Sequence, residues 1–257
     1  MVIDGKKIAS DIIERLKRQG APKGFLAAFI AGDDSESICF LKQKENVANE
    51  LGVDFRLYKF PKKVSGEEFR KEISKSAADK DCRGIIVQLP LPSGINRNDI
   101  LAAVPPEKDV DALRGNLVLS PAAGVVEEIL KTENFELKNK KAVVVGLGFL
   151  VGKPVSDWLK EKCAELYCLD IGSDLSVLKQ ADLVILGTGQ TGLIKPETLK
   201  DNVLVIDFGY GTKDGKVSGD FNSMNIPDSI RYTPTPGGTG PVLVAKLFEN
   251  FLKLSSI

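Results

Sequence analysis

The chain has 257 residues, enough for two compact domains, and an apolar fraction of 43%, that of a globular protein with a sizeable core. Lysine plus arginine and aspartate plus glutamate stand at 35 each, so no global field draws the chain to nucleic acid or to an anionic membrane. Histidine is absent and Cys39, Cys82, Cys163 and Cys168 show no CxxC spacing, which argues against a metal centre, while chain size argues against a disulfide framework. The thiols are expected to be buried and inert. There is no charged-then-apolar leader and no apolar run of about 18 residues, so a cytoplasmic protein without a membrane span is expected. Without histidine, proton transfer near neutral pH falls to lysine, carboxylate, tyrosine or water. A lysine would need its pKa lowered, which directs the search to lysines inside apolar segments.

In chain order, Ile8, Ile12, Ile13 and Leu16 have helical spacing, and Phe25 to Ile30 is a continuous apolar run. Ser37 to Leu51 predicts a second helix, followed by a strand near Val53 to Tyr58. Ser65 and Glu68 have capping-box spacing ahead of a helix carrying Phe69, Ile73 and Ala77, and Gly84 to Leu89 reads as a buried strand. Beyond the charged stretch Pro105 to Asp111 a domain boundary is expected near residues 114 to 120, with a helix starting near Pro121. The pattern then repeats: strand Ala142 to Val145, a glycine loop, a helix with Trp158 and Leu159, and strands at Leu166 to Leu169, Leu183 to Leu186 and Val203 to Ile206. Asp214-Gly215 predicts a simple turn, and Val242 to Leu254 a helix with Pro241 in its first turn. Short apolar strands alternating with helices predict an α/β protein with mostly parallel sheets covered on both faces.

Five segments carry candidate chemistry. Gly146-x-Gly148-x-x-x-Gly152 follows a predicted strand and opens a helix, the setting in which backbone N–H groups hold a pyrophosphate; a tight strand-to-helix turn is the other reading. Asp170, at the end of the next strand, favours the first, since an acid there accepts hydrogen bonds from a ribose. Gln88-Leu89-Pro90-Leu91-Pro92 ends a buried strand with a polar side chain, where open α/β sheets bind ligands. Lys108-Asp109-Val110-Asp111 places two carboxylates in one loop, as a ligand site or as a solvated charge cluster. Phe40 and Lys44 share a helical face, so Lys44 is either a perturbed base beside an aromatic ring or a surface lysine lying over a core phenylalanine. Thr233 to Pro241, with three glycines and three prolines, reads as a ligand-holding loop or as a tight turn before the last helix.

In order along the chain, Asp4-Gly5-Lys6, Gly32-Asp33-Asp34 with the Ser37-to-Lys44 helix, Gln88 to Pro92, Lys108 to Asp111, Gly146 to Pro154, Ile206 to Gly209, Gly219-Asp220 and the 233 to 241 loop resemble the bifunctional 5,10-methylenetetrahydrofolate dehydrogenase and 5,10-methenyltetrahydrofolate cyclohydrolase family from end to end. The resemblance implies a folate-binding catalytic α/β domain of three layers at 1–116 and a Rossmann-like domain at 117–257, with a cleft between them and a helix at about 241–254 returning to the first. It implies a homodimer, tetrahydrofolate derivatives as substrates, and NAD or NADP as cofactor. Lys44 then matches the catalytic lysine, Gln88 the glutamine that positions it, and Asp111 the aspartate that binds the pterin. Phe40, Leu89, Pro90, Pro236, Gly237 and Gly238 would line the folate and nicotinamide contacts. The cofactor set would comprise Gly146, Leu147, Gly148, Gly152, Asp170, Ile171, Gly187 and Tyr210.

The chain departs from the family pattern in several places. Phe40 replaces a tyrosine, Asn46 a second lysine, Gly148 a serine, and Asp170-Ile171-Gly172 the polar residues that read a 2′-phosphate. Asp170 would repel that phosphate, and Leu147 adds no charge to offset it, so NAD is expected over NADP unless Lys153 or Lys179 reaches the site. The rival readings are a dehydrogenase with weak or no cyclohydrolase activity, a non-catalytic folate- or dinucleotide-binding protein, and a Rossmann dehydrogenase acting on another small acid.

Overall fold

The computed structural model describes residues 1–213 and 215–256. The first half forms α1 (Gly5–Lys17), β1 (Phe25–Ala31), α2 (Ser35–Leu51), β2 (Asp54–Phe60), α3 (Gly66–Ala78), β3 (Cys82–Val87), α4 (Arg97–Leu101) and a 3-10 turn at Pro106–Lys108. The second forms α5 (Pro121–Thr132), β4 (Lys141–Val145), α6 (Gly152–Leu159), β5 (Glu165–Leu169), β6 (Leu183–Leu186), β7 (Leu204–Asp207), β8 (Gly211–Lys213), β9 (Lys216–Ser218), β10 (Arg231–Tyr232) and α7 (Thr239–Ser255). Further 3-10 turns lie at Ser176–Gln180 and Pro196–Thr198. Among the described residues no helix is long and apolar enough to cross a membrane.

The chain separates into two compact units: Asp11–Pro121 with Val244–Ile257, and Met1–Ser10 with Ala122–Leu243. The expected division at 116/117, with the last helix returning to the first domain, differs from this chiefly at the N-terminus, where Met1–Ser10 group with Ala122–Leu243. Long-range pairing is the reason. Val2 bridges to Tyr232, and Ile3 N–H donates to Tyr232 O at 2.8 Å, which extends the second sheet with N-terminal residues. At the other end, the Asn250 side chain bonds the backbone of Val110 and Leu119.

In the unit containing Asp11–Pro121, the parallel sheet has the order β2-β1-β3. The central strand β1 is buried at every position, which explains its unbroken apolar sequence, while the edge strand β2 alternates exposed and half-buried residues. Asp34 caps α2, accepting from Ser37 N–H at 2.8 Å, so the helix starts two residues before the expected Ser37. Ser65 caps α3 by accepting from Glu68 N–H at 3.1 Å. β3 stops at Val87, so Gln88 and Leu89 lie beyond the expected strand's true end.

In the other unit, the parallel sheet has the order β10-β7-β6-β4-β5. β4 comes first in the chain and has β5 on one side and β6 on the other, so the strand order reverses around it. That reversal opens a crevice at the carboxyl ends of the strands. β4, β6 and β7 are short β-branched segments buried almost throughout. The antiparallel pair β8–β9 brackets Gly215, whose φ is +74°; the expected turn partner Asp214 lies outside the described residues. The prediction of buried thiols holds for Cys82 alone, since Cys39 and Cys168 are exposed and Cys163, in the bend between α6 and β5, is half-buried.

Candidate active site

The buried residues of α2 are Ser37, Leu41, Lys44, Ala48 and Leu51, spaced as one helical stripe facing the sheet. Lys44 therefore occupies a position where periodicity calls for an apolar side chain, and its residue is only 6% exposed. Its Nζ donates to Gln88 Oε1 at 3.2 Å. Gln88 sits immediately past β3, where its N–H still pairs with Phe29 O at 2.9 Å. Its side-chain Nε2 donates to Leu89 O at 2.9 Å, which leaves Oε1 turned to the amine. Phe40 is half-buried one helical turn before Lys44, Leu89 is half-buried and Pro90 is exposed. Ser37 Oγ also donates to Leu89 O, at 3.4 Å.

Burial pushes the Lys44 ammonium below its ordinary pKa, and the nearby Asp111 carboxylate opposes part of that shift. Burial pushes Asp111 above the usual carboxylate range, against the pull of Lys44 and with a smaller push from Asp109. The two shifts bring the amine and the carboxyl closer together in proton affinity than they are on an open surface, which suits the pair to proton exchange.

The loop bearing Asp111 is held by its neighbours. Lys108 Nζ donates to Ala77 O at 2.6 Å and Asp79 O at 2.8 Å, so this lysine closes the end of α3 rather than joining the carboxylates. Buried Asp109 accepts from the N–H groups of Arg114 at 2.8 Å and Gly115 at 3.1 Å, and pairs by its backbone with Ile85. Asn250 of α7 donates to Val110 O at 2.9 Å and to Leu119 O at 2.8 Å. Asp109 and Asp111 therefore have different duties: one folds the loop and the other presents a carboxylate to Lys44. Asn250 had no signal in the sequence, because its partners are backbone carbonyls far away in the chain.

A second site lies in the unit carrying β4 to β10. A cavity of about 430 Å³ is lined by Gly146, Leu147, Gly148, Asp170, Ile171 and Gly187, together with Ser173, Leu175, Thr188, Gln190 and Leu193. Its volume falls in the range of small-molecule sites. β4 and β5 pair in register to Val145 and Leu169, and Gly146 N–H donates to Leu169 O at 2.8 Å, which sets Asp170 beside the glycine turn. Asp170 Oδ1 accepts from Ile171 N–H at 3.0 Å, its own N–H donates to Ser173 Oγ at 3.0 Å, and Ile171 is 92% exposed at the rim. Gly152 does not line the cavity; a Cβ there would strike Gly146 O, so its role is to seat the helix against the turn. Gly148 is open, the nearest atom to a Cβ being Gly187 O at 3.9 Å, and the glycine turn thus leaves room for a bound group. Tyr210 is half-buried and outside the lining. The lining contains no lysine or arginine, and Lys153 is paired with Asp157 at 2.9 Å. Ser173, Thr188 and Gln190 follow the ends of β5 and β6, so the strand-end rule applied to every strand would have found them.

The loop from Thr233 to Pro241 forms a third element of the same unit. Gly237 has φ +97°, and Gly238 is buried with its carbonyl against Gly5, where any Cβ would collide with it. The Asp4-Gly5-Lys6 stretch thereby acquires a reason: Asp4 Oδ1 accepts from Lys7 N–H at 3.1 Å at the start of α1, and Gly5 is the seat for the loop. Pro236 is exposed.

Residues 3–111 match the model for the tetrahydrofolate dehydrogenase/cyclohydrolase catalytic domain, and residues 120–257 match that family's NAD(P)-binding domain. The chain belongs to the tetrahydrofolate dehydrogenase/cyclohydrolase family. It is 35% identical over 279 residues to the bifunctional protein FolD of Rickettsia bellii, covering 100% of this chain and 98% of that one. Among solved structures it resembles the bifunctional FolD enzyme of Campylobacter jejuni, with a TM-score of 0.92, 29% identity and coverage of 100% and 98% of the two chains. It also resembles the Trypanosoma brucei FolD complexed with NADP cofactor and inhibitor, with a TM-score of 0.93, 27% identity and coverage of 100% and 97%. Within the tetrahydrofolate dehydrogenase/cyclohydrolase family this member carries Phe40 one helical turn before Lys44, while Asn46 lies on the exposed side of α2.

Proposed function

We propose that this chain oxidises 5,10-methylenetetrahydrofolate to the 5,10-methenyl cation with a nicotinamide dinucleotide, then hydrolyses that cation to 10-formyltetrahydrofolate. The observation that carries this reading is the buried Lys44 amine, held by Gln88 and facing the charge of Asp111. Asp111 would accept two N–H bonds from the amino-pyrimidinone edge of the pterin and so fix its orientation. Phe40, Leu89 and Pro90 would offer apolar contacts beside it. In the oxidation, a hydride leaves the bridging carbon; the bound nicotinamide supplies its acceptor. In the hydrolysis, water adds to the cationic carbon and loses a proton; the bond from that carbon to N5 then breaks as the new hydroxyl gives up its proton to form the formyl C=O and N5 gains one. One proton is released overall. Neutral Lys44 would take the proton from the attacking water and pass it to N5, with Gln88 keeping the amine in place.

Residues Gly146, Leu147, Gly148, Asp170, Ile171 and Gly187 would hold the dinucleotide, with Gly152 supporting the turn and Tyr210 and the 236–238 stretch contributing beyond the cavity. NAD is proposed over NADP, because a carboxylate and no cation lines the cavity. A cytosolic homodimer is the assembly that the family resemblance supports, and light scattering would test it. Separate steady-state assays with methylenetetrahydrofolate plus each dinucleotide, and with methenyltetrahydrofolate alone, test the whole reading. Turnover in both supports it, and turnover in neither overturns it. Turnover in the first alone would favour the second reading, a dehydrogenase with weak cyclohydrolase activity, to which the missing hydroxyl at Phe40 points.

A further inference from the structure

Two buried acids, Asp207 and Asp220, play no part in the chemistry above. Both have side chains inside the unit that holds the dinucleotide cavity, at 1% and 0% exposure. Asp220 Oδ2 accepts from Thr188 N–H at 2.6 Å, Thr188 Oγ1 at 2.8 Å and Gly189 N–H at 3.3 Å. Thr188 is a wall of the cavity. Asp220 N–H in turn donates to Asp207 Oδ1 at 3.3 Å, and Asp207 also accepts from Gly209 N–H at 2.7 Å and Phe221 N–H at 2.9 Å. The backbone of Asp207 engages the other loop of the unit: its N–H donates to Thr233 Oγ1 at 2.8 Å, and its carbonyl accepts from Thr239 Oγ1 at 2.8 Å. The Asp220 carboxylate thus holds the cavity wall, and Asp207 links it to the loop from Thr233 to Thr239, receiving the Asp220 N–H at its carboxylate and bonding Thr233 and Thr239 through its backbone.

A buried carboxylate is a costly way to close a turn that an amide or hydroxyl could close. Asp220 Oδ1 is buried without a hydrogen-bond partner, and Asp207 is raised to about 6, chiefly by burial with Asp220 adding to it. Several donors on one oxygen fix the Thr188–Gly189 backbone in direction as well as position. We propose that Asp220 is a positioning residue for dinucleotide binding, acting through Thr188 and Gly189, and that Asp207 ties this cavity wall to the 233–239 loop. The proposal rests on the assignment of the cavity to the nicotinamide cofactor.

The test compares the full chain with Asp220→Ala, Asp220→Ser and Asp220→Asn, measuring dinucleotide affinity by calorimetry, methenyl hydrolysis and thermal unfolding. Alanine and serine remove the shared acceptor, serine being too short to reach Thr188, so affinity should fall by about tenfold or more while methenyl hydrolysis stays within about twofold. Asparagine keeps one carbonyl oxygen for the converging donors and should restore affinity to within about threefold of the native chain. Alanine and serine variants with native affinity, even at a lowered Tm, would overturn the proposal. So would a joint loss of affinity and hydrolysis, which would mark a general folding role, or an asparagine variant as weak as alanine. If the native chain bound neither NAD nor NADP, the cofactor assignment itself would fall, and the proposal with it.

Discussion

Lys44 and Asp111 shift each other's titration, and the direction of that coupling makes a prediction. Burial lowers Lys44 and Asp111 opposes this, so removing the negative charge should let Lys44 lose its proton at lower pH still. In Asp111→Asn, the ascending limb of the pH profile for methenyl hydrolysis should move towards acid, while the folate KM rises by about tenfold as one acceptor becomes a donor. A limb that stays in place would detach Lys44 from the rate. Phe40 permits a second test at this scale: if the family's hydroxyl helps to orient water or amine, Phe40→Tyr should raise hydrolysis relative to hydride transfer by a few-fold. An unchanged ratio would mean that the ring face alone matters. Lys44 stood out in the sequence through the helical face it shares with Phe40 and through the family motif, but whether it was buried needed the stripe that α2 turns to the sheet. The separate duties of Asp109 and Asp111 were not, since two acids in one loop look alike until the backbone groups that each receives are known.

Among the elements, the turn after β4 and the turn after β5 line the cavity proposed to hold the dinucleotide. A Cβ at residue 152 would strike Gly146 O, so either the start of α6 or the glycine turn must give way. Gly152→Ala should therefore raise the dinucleotide KM by about tenfold and lower Tm, with methenyl hydrolysis within about twofold of native. On the proposed reading, the Asp170–Ser173 turn sets the preference between the two dinucleotides. Native kcat/KM should be higher with NAD, and Asp170→Ser should narrow the gap by about tenfold, since loss of one carboxylate removes repulsion of a 2′-phosphate. Better kcat/KM with NADP in the native chain would place the second oxygen of Asp170 away from the ribose. Strands and helices were mostly legible from their apolar periods, to within one or two residues at their ends. β10 and the β8–β9 pair were missed, because segments of two or three residues carry no period.

At the level of the whole molecule, the chain passes between its two units at Ser10/Asp11, Pro121/Ala122 and Leu243/Val244. The N-terminal crossing is set by tertiary pairs such as Val2 with Tyr232, which leave no local trace in the sequence, whereas the crossing at Leu243/Val244 agrees with the expected return of the last helix. The ordered motifs carried the family, whereas the supports behind them, Gly5 under Gly238, Lys108 on α3 and Asp220 on Thr188, needed the fold. On the proposed reading, one buried amine, that of Lys44, performs the hydrolytic half of a bifunctional enzyme. The most direct test of that role is methenyl hydrolysis by Lys44→Met, which keeps an apolar chain of similar length and removes the amine. Hydrolysis should fall by at least about a hundredfold, with folate affinity within a few-fold of native; hydrolysis at the native rate in that variant would contradict the account.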